Sequence, residues 1–159
     1  MNRPLAFLQN HPHCLERVYR FTLAVFRRAR PLLARVGYDR AARVLVPVER
    51  LTKGAIFGCQ MCGQCTLHAT GMTCPMTCPK NLRNGPCGGV RANGHCEVIP
   101  EMPCVWVQAY ERSRHMPLYG HEILLIQPPL DRRLADTSAW INAITGRAED
   151  TGIVWNADD

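Results

Sequence analysis

Eight of the nine cysteines of this 159-residue chain fall in one short stretch that is rich in glycine and proline. They are Cys59, Cys62, Cys65, Cys74, Cys78, Cys87, Cys96 and Cys104. The first three form a Cys-x2-Cys-x2-Cys run. Eight thiolates suffice for two four-sulfur metal sites. A segment with so few core-forming side chains needs metals or disulfides to hold it together, so the cysteines constrain the fold most strongly.

The rest of the chain indicates where these thiols reside. No N-terminal stretch looks like a secretory signal, because Arg27 and Arg28 interrupt the best apolar candidate. The longest apolar runs fall short of the ~20 residues that a membrane span requires. We therefore expect a cytoplasmic protein without a membrane span. Thiols stay reduced in that compartment, which favours metal binding, with disulfides as the alternative.

The first third of the chain has a helical pattern. Residues 12–36 place apolar side chains at three-to-four spacing, and Pro31 should kink or divide this helix. Gly37 should end it, and a second helix should end at Val46, before Pro47. Two further short helices are predicted, from Val105 to Arg114 and from a cap at Asp136 or Thr137 to Ile144.

These segments define a fold class and a domain division. Between the last two helices, residues 121–129 form either a short strand or an extended packing arm. We predict a mostly α and irregular fold with little sheet, in which short helices flank a small metal-organised module. Residues 1–53 would be an Arg-rich helical extension, 54–147 the cysteine-rich domain with its C-terminal helices, and 148–159 an acidic, loose tail.

The N-terminal extension carries much of the net charge of +6. Ten arginines lie within residues 1–50, against Glu16, Asp39 and Glu49. They form either a solvated face over an apolar stripe that packs on the domain, or a helix that docks a partner protein. A membrane-surface helix is a third interpretation.

The spacing of the cysteines favours iron over zinc. A closely spaced thiolate triplet suits a 4Fe-4S cube, because several iron corners lie near one turn of chain. Structural zinc prefers two separated Cys-x2–4-Cys pairs, although this pattern does not exclude it. Two 4Fe-4S clusters are therefore the predicted cofactors, with zinc as the alternative. One set would join the triplet to one later cysteine, although the sets of two-cluster proteins often interleave.

The other side chains considered as metal ligands are less favoured than the eight cysteines. His68 and His95 could each replace a cysteine, but eight thiolates already suffice. Four methionines interleave with the cysteines and should pack around the sites rather than ligate them. Cys14 lies outside the cluster and is expected to be a buried, inert thiol. No nucleophile elbow, phosphate-binding loop or dinucleotide fingerprint is present, so we predict no catalytic residue.

The residues around the cysteines resemble a known family. GCQMCGQC, MTCPMTCPKNLRNGPCGG and GHCEVIPEMPCVWVQAYERS are similar to the methylenetetrahydrofolate reductase C-terminal domain family. The tail PPLDRRLADTSAWINAITGR looks like the same family, so the resemblance spans roughly residues 55–147. It implies a hetero-oligomer with a flavin-binding reductase subunit, to whose flavin the iron–sulfur clusters of this chain would relay electrons. The eight clustered cysteines would be the ligands.

The resemblance leaves three functions open. The chain would be an electron-transfer subunit in one-carbon (folate) metabolism, and whether it counts as an enzyme is uncertain because it lacks the reductase barrel. Some members of the family look like zinc fingers, so a structural zinc scaffold of the same enzyme is the alternative. A zinc-ribbon nucleic-acid binder ranks last, because the arginines lie mostly outside the cysteine-rich stretch and aromatic side chains are few there.

Overall fold

The computed structural model describes residues 5–149, and helices make up nearly all of their regular structure. The α-helices are α1 Pro12–Val36, α2 Tyr38–Phe57, α3 Val105–Ser113 and α4 Ala139–Thr145. Turns of 3-10 helix lie at Ala6–Asn10, Leu67–Thr70, Pro75–Thr77, Gly120–Leu124 and Arg132–Leu134. Across the described residues, β pairing is limited to one isolated bridge between His95 and Pro103. The predicted mostly α fold with little sheet is confirmed.

The first two helices continue past prolines at which the sequence predicted an interruption. α1 runs for 25 residues without a break at Pro31, and Gly37 ends it by donating its N–H to Leu33 O at 3.0 Å. α2 continues through Pro47 for 20 residues, so its predicted end at Val46 is wrong. A proline removes one helical hydrogen bond, but the turns beyond it bury three side chains of α2, and this packing outweighs that loss. α2 is therefore not one of the short helices predicted to flank the cysteines, whereas α3 and α4 have 9 and 7 residues.

The C-terminal helices match the predictions more closely. α3 follows Cys104 as expected, and α4 ends at Gly146. Its cap is Ser138, whose hydroxyl accepts from Ile141 N at 3.3 Å, rather than Asp136 or Thr137. Residues 121–129 form no strand: a 3-10 turn is followed by an extended arm. On that arm, Gln127 exchanges two backbone–side-chain hydrogen bonds with Asn84, at 2.8 and 2.9 Å.

The interior consists of two small apolar clusters rather than one large core. The first contains Phe57, Leu67, Met72, Cys74, Met76 and Met116, with Leu15 and Tyr19 of α1 packed against it. The second contains Cys104, Trp106 and Ala109. Because α1 packs on the first cluster, the Arg-rich helices are joined to the cysteine-rich segment.

Two further observations bear on the predicted domains. α2 crosses the predicted boundary between residues 53 and 54 and ends at Phe57. The buried carboxylate of Glu16 in α1 accepts from the backbone N–H groups of Leu118 and Tyr119, at 3.1 and 3.2 Å. Residues 150–159 of the predicted acidic tail lie outside the described residues. No helix in residues 5–149 has both the length and the apolar character needed to cross a bilayer.

Candidate functional site: two four-cysteine cavities

The eight clustered cysteines line two separate cavities, four in each. Cavity A is lined by Cys59, Cys62, Cys65 and Cys74. Cavity B is lined by Cys78, Cys87, Cys96 and Cys104. The triplet thus shares its cavity with one later cysteine, the next along the chain. The two sets follow each other in sequence and do not interleave.

Both cavities are narrow. Cavity A measures about 20 Å³ and cavity B about 10 Å³. One water molecule needs about 10–15 Å³ on this measure, so each cavity has room for a single small ion. A 4Fe-4S cube would require the sulfur atoms to move apart.

The thiols are free, and their present arrangement is not that of a bound centre. No disulfide joins any of the nine cysteines, all of which lie within residues 5–149. In the same part of the chain, no three His, Cys, Asp or Glu side chains stand as metal ligands. The donor set of four soft thiols in each cavity suits iron–sulfur clusters or zinc. The metal-organised module and the ligand role of the eight cysteines remain predictions.

Buried amides hold the loop that carries the triplet. Gln64 is 1% exposed, donates to Ala148 O at 3.0 Å and accepts from Asp131 N at 2.7 Å. Asn142 of α4 donates to Gly63 O at 2.9 Å. Gly63 has φ +74°, and a Cβ there would stand 2.1 Å from Leu134 O. The C-terminal segment therefore fixes the triplet loop, which sequence reasoning did not find.

A buried ion pair forms one wall of cavity A. Lys53 Nζ lies 2.5 Å from Glu49 Oε2, and both side chains are almost fully buried. Glu49 also accepts hydrogen bonds from the Ser138 hydroxyl and from Trp140 N, and Lys53 lies 4.4 Å from the centre of the Trp140 ring. Burial lowers the pKa of Lys53, but Cys65 and Glu49 outweigh it and leave that pKa raised. The cation is therefore stable inside the protein.

A second buried cation lies beside cavity A. The Arg83 guanidinium donates to Pro128 O at 2.6 Å and to Gln64 O at 3.1 Å. Burial lowers the pKa of Arg83, whereas the neighbouring Cys62 and Cys65 sulfurs oppose that shift. No local pattern predicts this position, because Arg83 lies in the chain between two cysteines that line the other cavity.

Two of the four thiols of cavity A, those of Cys59 and Cys74, have a raised pKa and so favour the protonated form. Burial, with added repulsion from Cys59 and Cys65, raises the pKa of Cys74 to about 12. Burial also raises the pKa of Cys59. Because metals bind the thiolate, an ion that enters this cavity must displace protons.

Cavity B is built differently and has an acidic neighbour. Backbone hydrogen bonds from Cys96 N to Met102 O and from Cys104 N to Gly94 O, both 2.9 Å, close its loop. Glu97 lines the cavity and places a carboxylate oxygen 3.9 Å from Cys87 Sγ. Its partner Lys80 is about 39% exposed. Glu97 and Lys80 both line cavity B, so its thiols face an ion pair whose carboxylate contacts Cys87.

The two histidines have partners other than the cavities. His68 pairs with Glu122, and His95 contacts Pro100 O at 2.7 Å. Neither residue lines cavity A or cavity B. Both histidines therefore lie outside the two sets of four thiols.

Three of the four methionines line the cavities, whereas the ninth cysteine is not placed as predicted. Met61 and Met76 line cavity A, Met102 lines cavity B, and Met72 is buried in the first apolar cluster. Cys14 is exposed rather than buried, so that prediction is wrong. Its position on α1 faces away from the apolar cluster that Leu15 contacts.

Four free thiols in each of two cavities, on a helical frame with almost no sheet, define a small cysteine-rich domain with two candidate metal centres. The chain belongs to the family described as methylene-tetrahydrofolate reductase C terminal, whose model matches residues 38–133. The match begins with α2, contains all eight cavity cysteines and ends before the Thr-Ser-x-Trp segment of the tail. The resemblance is confirmed, although its bounds differ from residues 55–147. No curated protein and no solved structure matches the chain.

Proposed function

We propose that the chain is an iron–sulfur electron-transfer subunit of a flavin-dependent methylenetetrahydrofolate reductase. The observation that carries this proposal is the division of eight thiols into two sets of four. A 4Fe-4S cluster is held by four cysteine thiolates, so each set matches the ligand count of one cluster. Membership of a family described as the C-terminal part of this reductase supports the assignment to folate metabolism.

The proposed division of labour gives this chain no catalytic residue. The flavin and the one-carbon substrate would reside on a partner subunit, in a cytoplasmic hetero-oligomer. Apart from one ion pair in each and a few polar side chains, cavities A and B are lined by thiols, methionines and apolar side chains. Such surroundings exclude water and tune a potential, which suits electron relay.

The N-terminal helices offer a surface for that partner. An apolar face of exposed side chains runs along both helices: Val18, Phe21, Val25, Leu32 and Val36 on α1, with Val44, Val48 and Leu51 on α2. Contiguous exposed apolar surface of this kind is typical of interaction sites. Nine exposed arginines lie on the same two helices, so the complementary partner surface is apolar with an acidic rim. We propose that this helix face docks the reductase subunit.

A structural zinc scaffold is the second candidate function. Its support is the small size of the two cavities, about 20 and 10 Å³, which suits a single ion better than a cube. Zinc in a four-thiolate site has no redox chemistry, so this chain would then stabilise or assemble the same enzyme.

Metal content separates the two candidates. The full chain would be purified without oxygen, and iron, sulfide and zinc would be counted beside the visible spectrum. We expect about eight iron atoms and brown colour for two 4Fe-4S clusters. Cys59→Ser should remove the iron of one cluster, while Cys14→Ser should leave the iron count unchanged. Two zinc ions in a colourless protein would refute electron transfer.

Partner binding is tested independently of metal. Phe21 is 70% exposed on α1 and Ile126 is 89% exposed on the extended arm. We expect Phe21→Ser to reduce co-purification with a flavin-containing methylenetetrahydrofolate reductase subunit, and Ile126→Ser to leave it unchanged. Equal loss in both variants, or in neither, would contradict docking through the helix face.

A further inference from the structure

The two four-cysteine cavities differ in the fixed charge beside them. At cavity A, the buried cation Arg83 donates to Gln64 O, which also lies 3.6 Å from Cys62 Sγ, whereas cavity B is lined by the ion pair of Glu97 and Lys80. A nearby positive charge stabilises the more negative, reduced state of a thiolate-bound centre, and a negative charge opposes it. A centre in cavity A should therefore be easier to reduce than a centre in cavity B.

Arg83 is a cation without a carboxylate to neutralise it among its described partners. Its guanidinium is bonded to two carbonyl oxygens, those of Pro128 and Gln64, which satisfy donors but carry no net charge. The side chain is only 8% exposed. Burial of an uncompensated charge is costly, so a negative group should be close by. Cys62 Sγ of cavity A lies 3.6 Å from the same Gln64 O that accepts from Arg83, and Cys65 lines a neighbouring pocket together with Arg83.

Lys53 contributes less to this asymmetry than Arg83. It also approaches the thiols of cavity A, but its charge is matched by Glu49 at 2.5 Å. Seen from the cavity, that pair is a dipole rather than a net charge. The uncompensated charge at cavity A is that of Arg83.

Cavity B has no such net charge among its described lining residues. Glu97 and Lys80 both line it and form an ion pair, whose carboxylate contacts Cys87 Sγ. Both side chains of the pair are more than a third exposed, so solvent weakens their influence. Cavity B therefore faces a screened dipole, whereas Arg83 leaves a net positive charge beside cavity A.

We propose that Arg83 is the counter-charge of the metal–thiolate centre in cavity A, so that this centre has the higher reduction potential of the two. The inference rests on the proposed iron–sulfur function. The first electron that the chain accepts then reduces the centre in cavity A, and the centre in cavity B is reduced at lower potential. Arg83 is a potential-setting residue and not a ligand.

The test is an anaerobic redox titration of the iron-loaded full chain, followed by electron paramagnetic resonance. We expect two midpoint potentials in the unmodified chain. Arg83→Gln should lower the higher midpoint potential by at least about 59 mV, which corresponds to a tenfold change in the one-electron reduction equilibrium. Arg83→Lys should retain most of that potential, and Glu97→Gln should raise the lower one. Arg20→Gln, which removes an exposed charge from α1, should change neither.

Several outcomes would overturn the inference. They are a single shared midpoint, a shift with Arg83→Gln no larger than with Arg20→Gln, or a shift of the same centre by Arg83→Gln and Glu97→Gln. Glu97→Gln alters an exposed side chain, so it tests the asymmetry even if Arg83→Gln does not fold. Loss of the higher-potential signal in Arg83→Lys as well would also contradict a charge effect.

Failure of the proposed function gives a different result. If the unmodified chain holds zinc and no iron, electron transfer and the potential difference both fail. In that case, the effect of Arg83 is measured as the rate at which the protein releases zinc to a chelator. Arg83→Gln should release one of two zinc ions at least tenfold faster while the other is unchanged, and equal release of both would refute the role of Arg83.

Discussion

Breaking the buried pair of Lys53 and Glu49 should cost far more stability than breaking an exposed pair that also involves a residue of α2. The perturbation is Lys53→Met, which keeps an apolar stem but leaves the Glu49 carboxylate buried without a cation. Removing one partner of a buried pair costs about 3–5 kcal/mol. Ser138 and Trp140 still donate to Glu49, which places the expected cost near 3 kcal/mol. The lost contact of Lys53 with the Trp140 ring adds about 0.5–2 kcal/mol.

The exposed pair of Arg50 and Asp136 is the matched control. Its N–O distance is 2.6 Å, close to that of the buried pair, but its side chains are 60% and 73% exposed. Solvent screening limits such a pair to about 0–1 kcal/mol. The assay is urea unfolding of the reduced full chain. The free energies of unfolding of Lys53→Met and Arg50→Met are compared, provided that the dependence of that free energy on urea concentration (m) is the same in both variants.

The double variant Glu49→Leu/Lys53→Met identifies the cause of the cost. If the orphaned carboxylate is responsible, the double variant should recover most of the stability lost in Lys53→Met. Equal costs for Lys53→Met and Arg50→Met would refute the reasoning, as would a double variant that is no more stable than Lys53→Met.

Two further predictions concern cavity A. Gly63→Ala should lower the free energy of unfolding by more than about 2 kcal/mol, because φ is +74° and the new Cβ would meet Leu134 O, whereas Gly88→Ala has open space and should be near neutral in the same thermal melt. The raised pKa of Cys74 stabilises the metal-free fold below the ordinary thiol pKa of 9.0, and this contribution is lost as pH rises towards about 12. Circular dichroism of the metal-free chain should therefore show unfolding over that pH window, with a smaller change in Cys74→Ser. The opposite trend would contradict the burial of this thiol.

Local signals in the sequence were sufficient for some elements. Pro12 and Gly37 bound α1 because a proline at a first turn and a glycine after a last turn act within a few residues of themselves. Gly146 ended α4 for the same reason. That the chain has enough clustered thiols for two four-cysteine sites was also predictable, because this requires only a count of cysteines.

Long-range packing decided the rest. α2 passes Pro47 because its later turns bury Glu49 and Lys53, and Glu49 meets Ser138, 89 residues further along the chain. Helix propensity alone does not contain that contact. Cys14 was misjudged for a related reason, because the apolar pattern of α1 did not show which part of its surface packs on the first apolar cluster.

The division of the cysteines shows how a local arrangement can still produce a non-local effect. Each set of four is contiguous in sequence, so each cavity can close with its own small apolar cluster. Arg83 belongs by sequence to the loop between Cys78 and Cys87 of cavity B, yet its guanidinium lies beside the thiols of cavity A. One loop therefore supplies ligand-type thiols to one cavity and positive charge to the other. Two sites with the same four-thiol donor set become electrostatically unequal in this way, and if they hold the proposed clusters, electrons would occupy one centre before the other.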